Sequence, residues 1–449
     1  MDRKLFEPPV IKRMHTGMPG KIGMPGQIEP ITHIDQVTVS SLMTEFGSPL
    51  FVLSEKTIRE TYRKALDAFQ SRYPRVQFGW SYKTNYLDAI CRIYHQEGSW
   101  AEVVSGFEYD KAIRNGVGGR QIIFNGPDKS DEDLIKAINN HSYIHIDHFD
   151  ELYTLIRLAD TTAVKPRVAV RVNMDTGIFP KWDRFGFNYE NGEAMEAIRK
   201  IIGSGKLELV GLHTHIGTYV ISTAAYRIAA EKLAALALAI ERQFHQRILY
   251  IDMGGGFASL NNLKGAYHSA ADTTPSFDQY AEAITGALNS AGFDPDNLPV
   301  LILETGRALV DDAGYLAGTV LATKRLMDGR KALIFDFGVN LLFTSFWYDH
   351  FIHPAQEMTE TTEDTVVYGP LCMNIDMLRD QMQLPLLKKN DHVVVSRVGA
   401  YNMTQWLQFI TYRPNVVLIG ADFRPHLIRK AETLDALIQH ELTPDYLSS

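Results

Sequence analysis

Cysteine is nearly absent from the 449-residue chain: Cys91 and Cys372 are the only two, and they stand far apart. That excludes a disulfide framework and a CxxC metal pair, so no metal is expected and the reducing cytoplasm fits best. Long hydrophobic runs are missing as well. The longest, such as residues 234–240, fall far short of the roughly 20 residues that cross a bilayer, so no membrane partner is expected. Nor is there an excess of positive charge: 45 Lys and Arg stand against 53 Asp and Glu, a net charge of −8. This disfavours nucleic acid as a partner. The opening stretch MDRKLFEPPVIKRMHTGMPGKIGMPG is cut by Pro and Gly and lacks the apolar core of a signal peptide, so it reads as an extended arm.

What remains is an ordinary globular composition, 45% apolar and 22% charged. Between residue 76 and about residue 307 a unit recurs: a short β-rich apolar run, a polar or Gly-containing corner, then an amphipathic stretch. The runs are 77–81, 100–104, 121–124, 143–146, 167–172, 209–215, 249–253 and 300–303. The clearest helix between them is 223–242, with apolar positions three and four apart. Eight such units in about 230 residues have the rhythm of a (β/α)8 barrel, with an open doubly wound sheet as the alternative. After residue 307 the pattern turns to short β-like runs (313–326, 331–337, 365–368, 392–398), which reads as a C-terminal β domain. The expected organisation is an arm at 1–48 that joins the β domain, a barrel at 49–310 and the β domain at 311–449.

Catalytic groups of such barrels sit where strands end. Lys83, Glu102, Asn125, Asp147, Arg171, His213, His215, Gly254 to Gly256, Glu304 and Arg307 all fall there. Three consecutive glycines after YIDM let backbone N–H groups approach an anion, although a tight turn uses the same residues. ETGR at 304–307 adds a carboxylate, another Gly and a guanidinium able to grip a phosphate or carboxylate. A phosphorylated aromatic cofactor is therefore plausible, and the missing GxGxxG spacing disfavours a nicotinamide one. Lys83 in a barrel mouth is a candidate Schiff-base nucleophile; by itself it reads more readily as a surface lysine just past a strand. His215 alone reads as a core histidine, and Cys372 alone as a structural cysteine.

Taken together, the ordered motifs WSYKTN, WAEVVSGFE, FNGPDKS, RVN, DRFGF, HTHIGT, DMGGGF, ETGR, GPLC and GAY are specific. Over nearly its whole length the chain resembles the fold type III pyridoxal-phosphate decarboxylases, closest to the diaminopimelate decarboxylases and related to those of ornithine and arginine. The resemblance implies a barrel followed by a β domain, and a homodimer whose active sites are completed across the two copies. It implies that Lys83 carries pyridoxal phosphate, that His215 stacks on the pyridine ring, and that Glu304 faces its nitrogen with Glu102 and Arg171 nearby. Thr218, Gly255, Gly256, Gly306 and Tyr401 would seat the phosphate, and Arg307 the phosphate or a substrate carboxylate. Cys372 would come from the partner and return a proton to Cα after CO2 leaves.

Two positions depart from the diaminopimelate enzymes. Their arginine that grips the distal carboxylate is Thr344 here, and their glutamate that reads the distal ammonium is Met373. Tyr348 is retained. Asp349, His350, Asn374 and Asp376 are candidate replacement contacts, and Trp347 could floor a larger pocket. The expected substrate is an amino acid, either one modified or conjugated at its far end or meso-diaminopimelate itself. A racemase and a non-catalytic pyridoxal-phosphate binding protein are the remaining readings.

Overall fold

The computed structural model describes residues 28–266, 268–358 and 361–447; the expected arm therefore lies largely outside the described residues. The chain divides into two compact units. One holds the described residues up to Lys56, the segment 261–266 and the residues from Asp312 on; the other holds Thr57–Leu260 and His268–Asp311.

The second unit is the barrel. Its strands are Val76–Ser81, Trp100–Val103, Ile122–Phe124, Tyr143–Ile146, Arg167–Asn173, Glu208–His213, Tyr250–Asp252 and Val300–Leu303. Each pairs in parallel with the next. Val300–Leu303 returns to Val76–Ser81 through Leu301 opposite Val76, which closes the ring. The strands are buried almost throughout because helices cover their outer face and side chains fill the axis. At the lower end Ile123, Ala169, Val210, Tyr250 and Ile302 pack as one layer, capped by Trp100, Tyr143 and Val300. Helix starts are encoded locally. Ser105 and Ser130 cap Gly106–Arg114 and Asp131–Asn139, and Ser276 forms a capping box with Gln279 at Phe277–Asn289. The helix expected at 223–242 runs from Thr223 to Phe244 and ends on His245 in a left-handed conformation.

In the first unit a sheet runs in the order Met377–Pro385, Thr362–Tyr368, Lys331–Phe335, Gly314–Arg325, Leu50–Ser54, Asn415–Ile419, Pro425–Arg429. His392–Ser396 also pairs with Gly314–Arg325. The strand Leu50–Ser54, inside the 49–310 range expected for the barrel, lies in this sheet instead, because it pairs with Gly314–Arg325 on one side and Asn415–Ile419 on the other. Leu50, Val52, Ala317, Val394, Val417 and Ile419 bury one core with Val39 and Leu42 of the helix Val39–Phe46. Among the described residues no helix is long and apolar enough to cross a membrane.

Candidate active site

At the C-terminal ends of the barrel strands the chemistry-bearing side chains form one hydrogen-bonded network. Lys83 sits in the turn Tyr82–Thr84 directly after its strand. Its Nζ donates to Glu102 Oε2 at 2.6 Å and Oε1 at 2.9 Å. Glu102, fully buried, also accepts from Ser81 Oγ (2.6 Å) and Asn125 Nδ2 (3.0 Å). The same Asn125 amide donates to Glu304 Oε1 at 2.7 Å, so one side chain bridges two carboxylates from the strands on either side of Val76–Ser81. His213 Nε2 lies 3.3 Å from Glu304 Oε2, within ion-pair reach but outside hydrogen-bond alignment. Arg171 pairs with Asp147 at 3.1 Å and lays its guanidinium over Phe185.

The glycine corner is as tight as backbone allows. Gly254 (φ +63°) and Gly256 (φ +94°) occupy left-handed conformations. A Cβ on Gly255 would stand 2.7 Å from the Glu304 carbonyl oxygen, one on Gly256 would collide with the Gly217 carbonyl, and one on Gly306 with Thr84 Oγ1. The Gly255 amide donates to His215 Nδ1 at 3.1 Å, which leaves the proton of the neutral ring on Nε2 and fixes the ring plane. Burial, then the Arg171 and Lys83 charges, hold the His215 pKa well below the usual histidine range. Thr218 is exposed beside this corner, whereas Arg307 is buried.

Four participants were not singled out from the sequence. Trp182 leans on His215 with ring centroids 5.2 Å apart. His145 shares a hydrogen bond with the Tyr250 hydroxyl (2.9 Å) and packs 4.7 Å from the His213 ring. Asp252 accepts from the Gly254 amide, and burial plus the neighbouring Glu304 push its pKa well above the usual carboxylate range. Glu108 is pushed up to about 7, chiefly by burial, with the Lys83 charge opposing. The signal of the three ionisable ones, an inward strand position or a helix first turn, is shared with ordinary core and capping residues. His145, His213 and Glu304 are the one group among the described residues with metal-ligand spacing. Tyr250 already engages His145, and Asn125 engages Glu304.

The remaining predicted residues lie in the β unit. Cys372 is exposed and Met373 half-buried in the loop after Thr362–Tyr368; Tyr348 is buried. Tyr401 has φ +62°. Asp376 is buried, and its carboxylate accepts from the Val339 (2.8 Å) and Leu371 (2.7 Å) amides. Both its oxygens are thus engaged in fixing the loop that carries Cys372. Thr344 is buried between two partners: its hydroxyl donates to Asn402 Oδ1 (2.8 Å) and meets His350 Nε2 (2.8 Å). The Asn402 amide nitrogen donates to the Val398 and Ala400 carbonyls, so Oδ1 is the acceptor and His350 must donate to Thr344. Burial, then the Arg379 and Lys264 charges, bring the His350 pKa down to about 3, which keeps the ring neutral.

Comparison with known proteins places this geometry. Residues 57–311 match the family described as "Pyridoxal-dependent decarboxylase, pyridoxal binding domain". The diaminopimelate decarboxylase of Methanothermobacter thermautotrophicus is 28% identical over 417 residues, 90% of this chain and 94% of the relative. That of Bacillus subtilis is 28% identical over 420 residues, 89% and 93% of the two chains. Among solved structures, the M. jannaschii diaminopimelate decarboxylase in complex with L-lysine superposes with a TM-score of 0.84 at 27% identity, covering 92% of this chain and 96% of that one.

Proposed function

The chain belongs to the pyridoxal-dependent decarboxylases, and from that premise we propose that it removes the α-carboxylate of an amino acid modified or conjugated at its far end, working as a cytoplasmic homodimer. It is an amino-acid carboxy-lyase, and its cofactor is pyridoxal 5′-phosphate. The residues present fit that cofactor. The corner at Gly255, Gly256 and Gly306 is a cradle that any Cβ would fill, the Lys83 amine stands at the strand end, and Glu304 is a buried carboxylate able to hold a proton on a ring nitrogen. The bound cofactor supplies an electron sink for the pair left behind when the carboxylate departs.

Each residue then has a job of its own. Lys83 attaches the cofactor, with Glu102 orienting its amine. His215, its plane fixed by the Gly255 amide, offers a flat neutral ring for stacking. Glu304 keeps the ring nitrogen protonated, and Asn125 keeps Glu304 in place. Thr218, Gly255, Gly256, Gly306 and Tyr401 seat the phosphate, and Arg307 and Tyr348 bind acidic groups of cofactor or substrate. In the homodimer the partner copy brings Cys372, which returns a proton to Cα, and Met373, which lines the far end of the substrate. The support for that division is the family resemblance of the GPLC and GAY motifs.

The observation that carries the substrate class is the state of Thr344. Where the diaminopimelate enzymes place an arginine, this chain has a buried hydroxyl tied on both sides by Asn402 and His350, and Met373 stands where they have a glutamate. A distal carboxylate or ammonium would lose its partner, at a cost of about 3–5 kcal/mol, a factor of 10² or more in kcat/KM. The test is CO2 release by the holoenzyme over free and conjugated amino acids. A conjugated substrate should exceed meso-diaminopimelate by that factor. Equal or better turnover of meso-diaminopimelate overturns the substrate class, and a change of α-configuration without CO2 release overturns decarboxylation in favour of a racemase.

A further inference from the structure

The opposite end of the barrel from the active site holds a second cavity, of about 240 Å³. It opens where strands begin, and its wall carries three guanidinium groups, Arg75, Arg167 and Arg247, around the aromatic rings of Trp100 and Tyr143. The rings are ordered as a platform: Trp100 and Tyr143 stack with centroids 5.5 Å apart at 10°, and Arg167 lies 4.4 Å over the Tyr143 ring. Tyr250 and Ile302, both buried in the lower core layer, close its floor.

Three cations around one small apolar-floored hollow are unusual in a chain of net charge −8. The acids facing them only partly neutralise them. Glu208 reaches Arg167 at 3.9 Å and is about half exposed. Asp294 is fully exposed; its pKa is held low mainly by the Asn297 side chain and the Asp296 amide, with Arg247 a lesser contributor. Arg75 gives one N–H to the Leu298 carbonyl at 2.5 Å, which orients its guanidinium and leaves further donors. Guanidinium forks bind carboxylate and phosphate oxygens in pairs, and a flat aromatic wall favours a flat occupant. The volume lies below the roughly 300–1,000 Å³ of pockets for drug-sized ligands, so the occupant is small.

We propose that this lower mouth is a binding site for a small organic anion, one ring bearing one carboxylate or phosphate, separate from the catalytic end. The ring lies against Trp100 while its charged group meets Arg247 and Arg75. An ordinary barrel end needs no such arrangement, since its residues serve stability.

Calorimetry on the holoenzyme, whose own phosphate seat is filled by cofactor, tests this with phenyl phosphate, benzoate and inorganic phosphate as probes. Phenyl phosphate should bind saturably at one site per chain, more tightly than inorganic phosphate, and should change the emission of Trp100, a change lost in Trp100→Phe. Arg247→Glu and Arg75→Gln should each weaken it by about ten- to a hundredfold, while the remote exposed Arg199→Ala leaves it unchanged. Both key arginines are exposed, so circular dichroism should show native folding in these variants. If either nevertheless fails to fold, the Trp100 signal and the preference over inorganic phosphate still decide. No saturable binding at millimolar probe overturns the site, as does binding that Arg247→Glu leaves intact. Equal binding of inorganic phosphate overturns the aromatic half.

Discussion

Replacing Asn125 with Ala removes the bridge between Glu102 and Glu304 and nothing else of size. The backbone amide of Asn125 is held by the Val103 carbonyl at 2.8 Å, so the strand end itself should stay in place. Two hydrogen bonds to carboxylates disappear, at 3.0 and 2.7 Å. Each is worth about 1.5–3 kcal/mol, so the loss is about 3–6 kcal/mol, weighted toward Glu304 because Glu102 keeps Ser81 and Lys83. For a domain of this size that lowers Tm by about 10 °C or more. Thermal denaturation, with a spectroscopic titration of pyridoxal phosphate beside it, measures the loss and its effect on the cofactor. Asn125→Asp should lose at least as much, since it puts a third carboxylate in the network. A Tm within about 2 °C of the parent, with cofactor affinity unchanged, would falsify the bridging role.

Borohydride reduction of the holoenzyme should fix the pyridoxyl group on Lys83, and peptide mapping that finds it on another lysine ends that assignment. Glu108, at about 7 instead of 4.5, favours its protonated form when folded, so the stability it confers is full at low pH and lost as pH rises through 7. Glu108→Gln should therefore gain on the parent by up to about 3 kcal/mol between pH 5 and pH 8 in chemical denaturation; a pH-independent difference contradicts it. Gly256→Ala meets both a left-handed φ and the Gly217 carbonyl, whereas Gly292→Ala meets only the φ. The first should lose cofactor on gel filtration and the second retain it, and equal retention would remove the steric argument. Mixing inactive Lys83→Ala and Cys372→Ala chains should restore up to about a quarter of the activity through one intact composite site in half of the dimers; none despite proven subunit exchange excludes shared sites.

The barrel was legible because each strand is read from its own residues: a short apolar run followed by a corner is a local pattern, and all eight runs became strands. The chemical residues at their ends followed from the same rule. The β unit was less legible. Met377–Pro385 (MLRDQMQLP) and Pro425–Arg429 (PHLIR) carry too much polarity to read as strands, and pairing with Thr362–Tyr368 and Asn415–Ile419 makes them so. Leu50–Ser54 is a fully buried apolar run that suits either unit, and only its distant partners decide. Asp376 looked like a substrate contact from its place after Cys372, yet its bonds go to the Val339 and Leu371 amides, the first of them 37 positions away. Thr344 was visible as a missing charge. That Asn402 and His350 occupy its hydroxyl depends on residues 58 and 6 positions off, which no local pattern reports.

Closure of the ring by Val300–Leu303 against Val76–Ser81 has a consequence for synthesis on the ribosome. The first barrel strand must wait, edge exposed, for more than two hundred further residues before its outer neighbour emerges, and the residue that follows that neighbour is Glu304. The buried carboxylate of the site therefore arrives with the stave that seals the barrel, and no earlier nascent chain contains the whole network. Leu50–Ser54 waits longer still, for Gly314–Arg325 and then Asn415–Ile419. Such long-delayed pairings fold slowly and leave strand edges open to wrong partners, so the yield of active protein should depend on how well those edges are shielded during translation.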